Sequence, residues 1–175
     1  FFPVYVAALN IAGDVSGVAV ETLAPPTAGC LHDYQLTTTD RQRVEDAHIV
    51  VMNGLEMESF LDKILSDRPA IDASSGYDTI DAAFPHSHDA HDHDDHEAHG
   101  NGPNAHVWTS PSGAIWQAER IRDGLIAADP GNAETYAANA QVYLDKLNDL
   151  SGRLREQLAP YAGEKIILLH DSMAY

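Results

Sequence analysis

Apolar and polar positions along this chain fall into blocks whose period changes several times. From Pro3 to Ala12 the residues are mostly apolar and small, with Pro3 at a favourable first helical position and Gly13 as a stop. That pattern predicts a short buried helix. Val18 to Leu23 reads as a strand. An irregular stretch opens at Pro25-Pro26 and closes at Thr38 or Thr39, a threonine cap for a helix over Asp40 to Ala47. Ile49 to Met52 is a continuous apolar run closed by Asn53-Gly54, the pattern of a strand buried on both faces. Glu56 to Leu65 reads as helix and Ala70 to Ala73 as a short strand. Strands alternating with helices at this spacing predict parallel βαβ units, and so an α/β fold.

After Ser74 the periodicity vanishes until about residue 106, a gap long enough to be functional or disordered rather than a plain connection. Order resumes at Ser110-Pro111, a cap followed by proline, and Ala114, Ile115, Ala118, Ile121, Leu125 and Ile126 form an apolar stripe. Asp129-Pro130 repeats the start signal. Tyr136, Ala140, Tyr143, Leu147, Leu150, Leu154 and Leu158 then recur at steps of three and four, so one helix can run to about residue 158, roughly 40 Å at 1.5 Å per residue. Pro160 and Gly163 end it. Lys165-Ile-Ile-Leu-Leu169 reads as another buried strand, followed at once by His170-Asp171. In open α/β sheets ligands bind beyond the carboxyl ends of strands, which is where His170 falls.

Charge narrows the function. The chain has 27 acidic residues against 10 basic ones, a formal net charge of −17. Such a field repels nucleic acid and anionic headgroups and suits a cationic ligand. One cysteine, Cys30, excludes an internal disulfide and a thiolate metal cluster, and leaves the redox compartment open. No apolar run reaches the roughly 18 to 20 residues of a spanning helix. The opening Phe1-Phe2-Pro3 without methionine reads as a processed or trimmed product.

Histidine carries the candidate chemistry. His32, His106 and His170 each lie in a loop or just after a strand, which the α/β reading places near one edge of the sheet. Neutral imidazole is the commonest zinc ligand, and three histidines leave a fourth position for a carboxylate or water. A second group, His86, His88, His91, His93, His96 and His99, alternates with aspartate and glutamate inside the aperiodic stretch. His-rich tracts imply metal binding, and many competing ligands on a tether bind with lower affinity and higher capacity than a preorganised site. An internal, acidic tract does not look like an expression tag. It reads as an accessory collector of metal.

Four segments sharpen this. "HDYQLTTTDRQRVEDAHIVVMNGLEMESFLDK" from His32, "NAHVWTSPSGA" from Asn104, "DPGNAETYAANAQVYLDKLNDL" from Asp129 and "HDSMAY" from His170 resemble the zinc-binding solute-binding proteins of ABC transporters, the ZnuA-like group. The resemblance covers nearly the whole chain. It implies a periplasmic receptor, or an extracellular one anchored as a lipoprotein, with two α/β lobes joined by a long rigid helix and a metal ion between them. It implies Zn²⁺ as the ion, an ABC-transporter membrane permease as partner, no nucleic acid, and a monomer when complete. His32, His106 and His170 fall on the family's histidine ligands. Manganese-selective relatives look to have glutamate where this chain has His170, and three imidazoles suit zinc better than manganese. Some relatives place a glutamate just before the first histidine, where this chain has Leu31, which cannot ligate. Others take an aspartate from the second lobe. The fourth ligand therefore stays open.

On this reading residues 1–128 form an N-terminal metal-binding lobe with a His-rich loop at about 76–105, residues 129–159 form the connecting helix, and residues 160–175 begin a second lobe. The expected chain is a fragment lacking the first strand and most of the C-terminal lobe. Asp33 and Asp171 stand beside ligand candidates and are candidates to orient them through the second imidazole nitrogen. Trp108 reads as core packing, His48 as a surface residue, and Glu56 and Glu58 as acidic residues favouring a helix N-terminus. Two other classes compete. A three-histidine zinc hydrolase needs a general base beside the metal, and the chain offers no HExxH or comparable motif. A metal buffer or adhesin-like surface protein would bind mainly through the His-rich loop. Receptor, not enzyme, is the expected class.

Overall fold

The computed structural model describes residues 1–25, 31, 34–65, 68–83, 102–168 and 170–175. Cys30, His32, Asp33, the six histidines between 86 and 99, and Leu169 lie outside the described residues.

Three helices make the frame. α1 (Phe2–Ala12) starts with proline in its first turn, as its sequence predicts. α4 (Pro111–Ala128) is capped by the Ser110 hydroxyl, which accepts the Gly113 N–H at 3.1 Å. α5 (Ala133–Leu158) runs 26 residues. Between them, α2 (Thr38–Asp46), β1 (Val50–Met52), α3 (Asp62–Leu65) and β2 (Ala70–Asp72) follow in order. β1 and β2 pair in parallel, Val50 with Ala70 and Met52 with Asp72, joined by a helical crossover. The βαβ expectation holds, and the fold is α/β with helices dominating.

One core holds these elements together. Val4, Ala8 and Ile11 of α1, Ile71 of β2, Ala118, Ile121 and Leu125 of α4, and Tyr136, Ala140 and Leu144 of α5 pack in a single cluster. Ile11 and Ile121 are wholly buried, each contributing about 1.5–3 kcal/mol relative to exposure. Close approach of α4 to the sheet depends on Gly124, where a Cβ would sit 2.5 Å from the Ile71 side chain.

Several expectations are corrected. Val18 to Leu23 is not a strand; Val18 and Val20 are partly buried against the core, but no strand lies beside them among the described residues. The 164–168 run is likewise not a strand, and Ile166 and Ile167 are exposed. β-propensity needs a neighbouring edge to pair with, and among the described residues neither run has one. The cap of α2 is Thr37, not Thr38 or Thr39, because Asp40 sits three residues on and completes a reciprocal capping box. Glu56 to Leu65 is not one helix. Residues 55–58 turn sharply, a 3-10 turn covers Ser59–Leu61, and only α3 is α-helical. β1 is half-buried rather than covered on both faces.

The α5 stripe also outlasts its core. Tyr136, Ala140, Leu144 and Leu147 are buried, whereas Leu150 and Leu158 are exposed. Leu150 and Leu154 instead line a groove with Phe2, Val6, Trp108 and Pro111 at the start of α4. α5 thus returns alongside α4, about 39 Å of helix against about 27 Å. The chain overshoots, and residues 159–168 double back to bring His170 to the beginning of α4.

Candidate metal centre

His106 enters at the end of a short ladder. Asp81 and Pro103 form an antiparallel bridge, the Ala82 N–H donates to the Gly102 carbonyl at 2.9 Å, and the Asn104 N–H donates to the Ile80 carbonyl at 2.8 Å. Residues 107–109 then form a 3-10 turn leading into α4. Gly113 in the first turn of α4 lets that turn press close; a Cβ there would lie 2.0 Å from the Val107 carbonyl oxygen. His106 is 4% exposed.

His170 and Asp171 arrive from the far end of the chain. The His106 and His170 rings meet edge to face with centroids 4.7 Å apart. Asp171 Oδ1 lies 3.5 Å from His170 Nδ1 and 3.9 Å from His106 Nδ1. One donor atom from each of the three residues fits within 4.8 Å of the others. A tetrahedral zinc shell with bonds of about 2.0–2.1 Å spaces its donors about 3.4 Å apart, a spacing these three residues approach without matching. Asp171 is itself tied down: its Oδ2 accepts the Ala83 N–H at 3.0 Å, beside the Asp81–Pro103 bridge.

Asn104 organises the first histidine. Its Oδ1 accepts the His106 N–H at 3.0 Å and pairs with His106 Nδ1 at 2.9 Å, while its Nδ2 donates to the Asp171 carbonyl at 3.0 Å. A backbone carbonyl only accepts and a backbone N–H only donates, so the amide orientation is fixed by its two main-chain partners. Oδ1 faces His106, and Nδ1 carries the proton. Nε2 is then the nitrogen with the lone pair, as a ligand requires. His170 is set differently, since its Nδ1 accepts the Ser172 N–H at 3.1 Å. Ligation through His170 Nε2 requires that bond to be given up; ligation through Nδ1 replaces it. His170 is exposed, with room to turn.

Behind His106 lies a buried polar network. Asn53, with no exposure, donates from Nδ2 to the carbonyls of Gly54 and Ala105, both at 3.0 Å, and accepts from Gln117 Nε2 at 2.8 Å. Gln117 also reaches the Ser74 hydroxyl at 3.0 Å. Glu58 receives the Asn53 and Gly54 N–H groups on its two oxygens, at 2.8 and 3.1 Å. Burial pushes its carboxyl above the usual range, against the opposing pull of those two donors. Burial likewise raises Asp72, opposed by the N–H groups of Ser74 and Ser75. Glu58 thus stands at the N-cap of the 3-10 turn, but its buried carboxylate closes on the preceding turn instead of the helix, and exposed Glu56 sits at φ 63° within that turn.

Of the residues singled out from the sequence, His106, His170 and Asp171 come together, whereas His32, Asp33 and the six loop histidines lie outside the described residues. Leu31, next to His32, packs with Ala24, Met57 and Ala105 in a small apolar cluster beside His106. Trp108 packs on that cluster and also stands 5.1 Å from the His106 ring, so it is both packing and wall. His48 is exposed, as expected. The sequence reading passed over Asn104, Asn53 and Gln117. For Asn104 a signal was available: an asparagine two residues before a candidate ligand can bond that residue's backbone N–H.

The chain is similar to several known metal-binding proteins. The iron-binding protein YfeA of Yersinia pestis is 34% identical over 172 residues, covering 96% of this chain and 50% of that protein. The manganese-binding lipoprotein MntA of Halalkalibacterium halodurans is 30% identical over 166 residues, covering 95% and 50%. A zinc-bound crystal structure of a ZnuA mutant lacking residues 138–173 superposes with a TM-score of 0.79 at 26% identity, over 99% of this chain and 62% of that one. The chain spans about half the length of these curated relatives. Among the described residues no helix is long and apolar enough to cross a membrane. The family model for ZnuA, the periplasmic component A of the zinc-uptake complex, matches residues 1–175, and the chain belongs to that family.

Proposed function

We propose that this chain is the zinc-coordinating half of a receptor that captures Zn²⁺ outside the inner membrane, in the periplasm or on a lipid anchor, and delivers it to an ABC-transporter permease. The observation that carries the reading is the meeting of His106, His170 and Asp171, residues from distant parts of the chain, with donor atoms within 4.8 Å. His32, His106 and His170 are the proposed ligands, and Leu31 packing beside Ala105 supports bringing His32 to the same place. Relatives named for iron and manganese show that the family frame serves several ions. Three imidazoles favour zinc, because manganese prefers harder oxygen donors. Residues 1–128 are the proposed metal-binding lobe, 129–159 the connector and 160–175 the opening of a second lobe, in a protein that works as a monomer and by coordination rather than catalysis. The six histidines from 86 to 99 are proposed to gather ions for the fixed site.

The test is zinc titration of the full-length protein against a competing chelator. His32→Ala, His106→Ala and His170→Ala are each expected to weaken binding by a factor of ten or more, and deletion of residues 86–99 to leave the tight site intact. Unchanged affinity in all three substitutions would refute the ligand set. Loss of tight binding on deleting the loop would favour a metal buffer.

A further inference from the structure

We propose that Asn104 is a positioning residue of the metal site, holding His106 in the Nδ1–H tautomer with one end of its amide and holding the His170–Asp171 segment against it with the other. The inference rests on the reading of His106 as a zinc ligand and goes beyond it by naming what prepares that ligand and what joins the two halves of the shell.

Every polar group of Asn104 is engaged. The side-chain oxygen serves His106 twice, the side-chain nitrogen serves the Asp171 carbonyl, the backbone N–H pairs with Ile80, and the backbone carbonyl accepts the Tyr175 hydroxyl. The residue is wholly buried, so neither end of the amide can exchange its partner for water without opening the fold. Turning the amide over would set its NH₂ against the His106 N–H and its oxygen against the Asp171 carbonyl, two repulsive contacts at about 3 Å. The orientation is therefore locked from both sides. A locked acceptor at Nδ1 keeps the lone pair on Nε2 and removes the need to shift a proton when the metal arrives.

The Asn104 side chain thus ties its own segment to a residue 67 positions away. The group that prepares His106 is also the group on which the 170–171 segment docks. Both ligand-bearing pieces form one unit before any ion binds.

The experiment uses the full-length protein and Zn²⁺ as the probe, with two readouts. Long-range ¹⁵N–¹H spectra of the metal-free protein report the His106 tautomer, and chelator competition reports affinity. The wild type is expected to show His106 protonated at Nδ1. Asn104→Ala is expected to give a mixture of tautomers and a ten- to hundredfold loss of zinc affinity. Asn104→Asp keeps an acceptor for His106 but loses the donor to Asp171; it is expected to retain the tautomer and bind zinc with intermediate affinity. A wild-type His106 protonated at Nε2 overturns the proposal, as does an Asn104→Asp affinity no better than that of Asn104→Ala. Should His106→Ala leave zinc binding unchanged, it is the ligand reading that fails. Should His106→Ala abolish binding while Asn104→Ala leaves it within twofold, only the role of Asn104 fails.

Discussion

Replacing Asn53 by aspartate tests whether the buried network behind His106 is held by hydrogen-bond direction or merely by shape. The two side chains are nearly isosteric, so packing is conserved. In the native protein the Asn53 NH₂ donates to the carbonyls of Gly54 and Ala105, each at 3.0 Å, at a position with no exposure. A carboxylate turns both donations into oxygen–oxygen contacts. The Ala105 carbonyl is left without a donor at a cost of about 1–3 kcal/mol, the Gly54 carbonyl keeps the Met57 N–H at 3.2 Å and loses about 1–1.5 kcal/mol, and the strengthened bond from Gln117 returns about 1 kcal/mol. The net expectation is a loss of about 2 kcal/mol near pH 8, a sizeable share of the about 5–15 kcal/mol of a whole domain. The sign of the pH dependence follows from linkage. A buried carboxyl facing two carbonyls titrates above its unfolded value, so the folded state binds more protons, and its stability falls as pH rises. On acidification the protonated carboxyl donates to one of the two carbonyls and recovers part of the loss. Urea denaturation followed by the two tryptophans at pH 8 and pH 5, with wild type as reference at each, measures both effects. A loss under 1 kcal/mol at pH 8, or the same loss at both pH values, would refute the reasoning.

Gly54→Ala should destabilise by about 2–5 kcal/mol in the same denaturation assay. Its φ is +84° and the added Cβ would lie 2.0 Å from Asp72 Oδ1, so conformational strain and overpacking add. At Asp40, burial acts to raise the carboxyl, but the Thr37 hydroxyl and N–H and the Tyr34 hydroxyl outweigh it and hold the group below its usual range. The capping box is therefore worth most above the ordinary carboxylate pKa and is lost as pH falls through the lowered one. Asp40→Asn should cost about 1 kcal/mol at neutral pH, a gap that closes on acidification. Burial, and then the bond to Asp129, push Tyr136 up to about 12. In an ultraviolet titration Tyr136→Phe should remove the last tyrosinate step, and the stability tied to that phenol should be present below pH 10 and vanish as the pH approaches 12.

What the sequence revealed, and what it hid, follows from the range of the forces involved. α1, α4 and α5 were legible because their stripes, prolines and Ser110 cap are local signals, and the parallel pair β1–β2 followed from the run at 50–52 and its closing Asn53-Gly54. The proposed strands at 18–23 and 165–169 failed because pairing is a property of two segments, and pattern in one cannot supply the other. Glu56 departs from a helix start, and Glu58 caps only a 3-10 turn, for a related reason. A helical rhythm crosses residues that Leu55 and Glu56 take through positive φ, and only the carboxylate of Glu58 closing on two N–H groups makes that turn worthwhile. His106 and His170 could be named from local segments, but their approach to 4.7 Å depends on α5 overshooting α4 and on the chain folding back.

The hydrogen bonds joining residues 80–82 to 102–104 have an implication for tinkering with this protein. They hold residues 80–82 and 102–104 together, so the two ends of the intervening sequence are already joined. Doubling the length of such a span adds only about 0.6 kcal/mol of closure entropy. The place is thus a natural cassette port, where a fluorescent reporter, an affinity handle or a collector of different chemistry can be exchanged while the Asn104–His106 geometry beneath it stays unaltered.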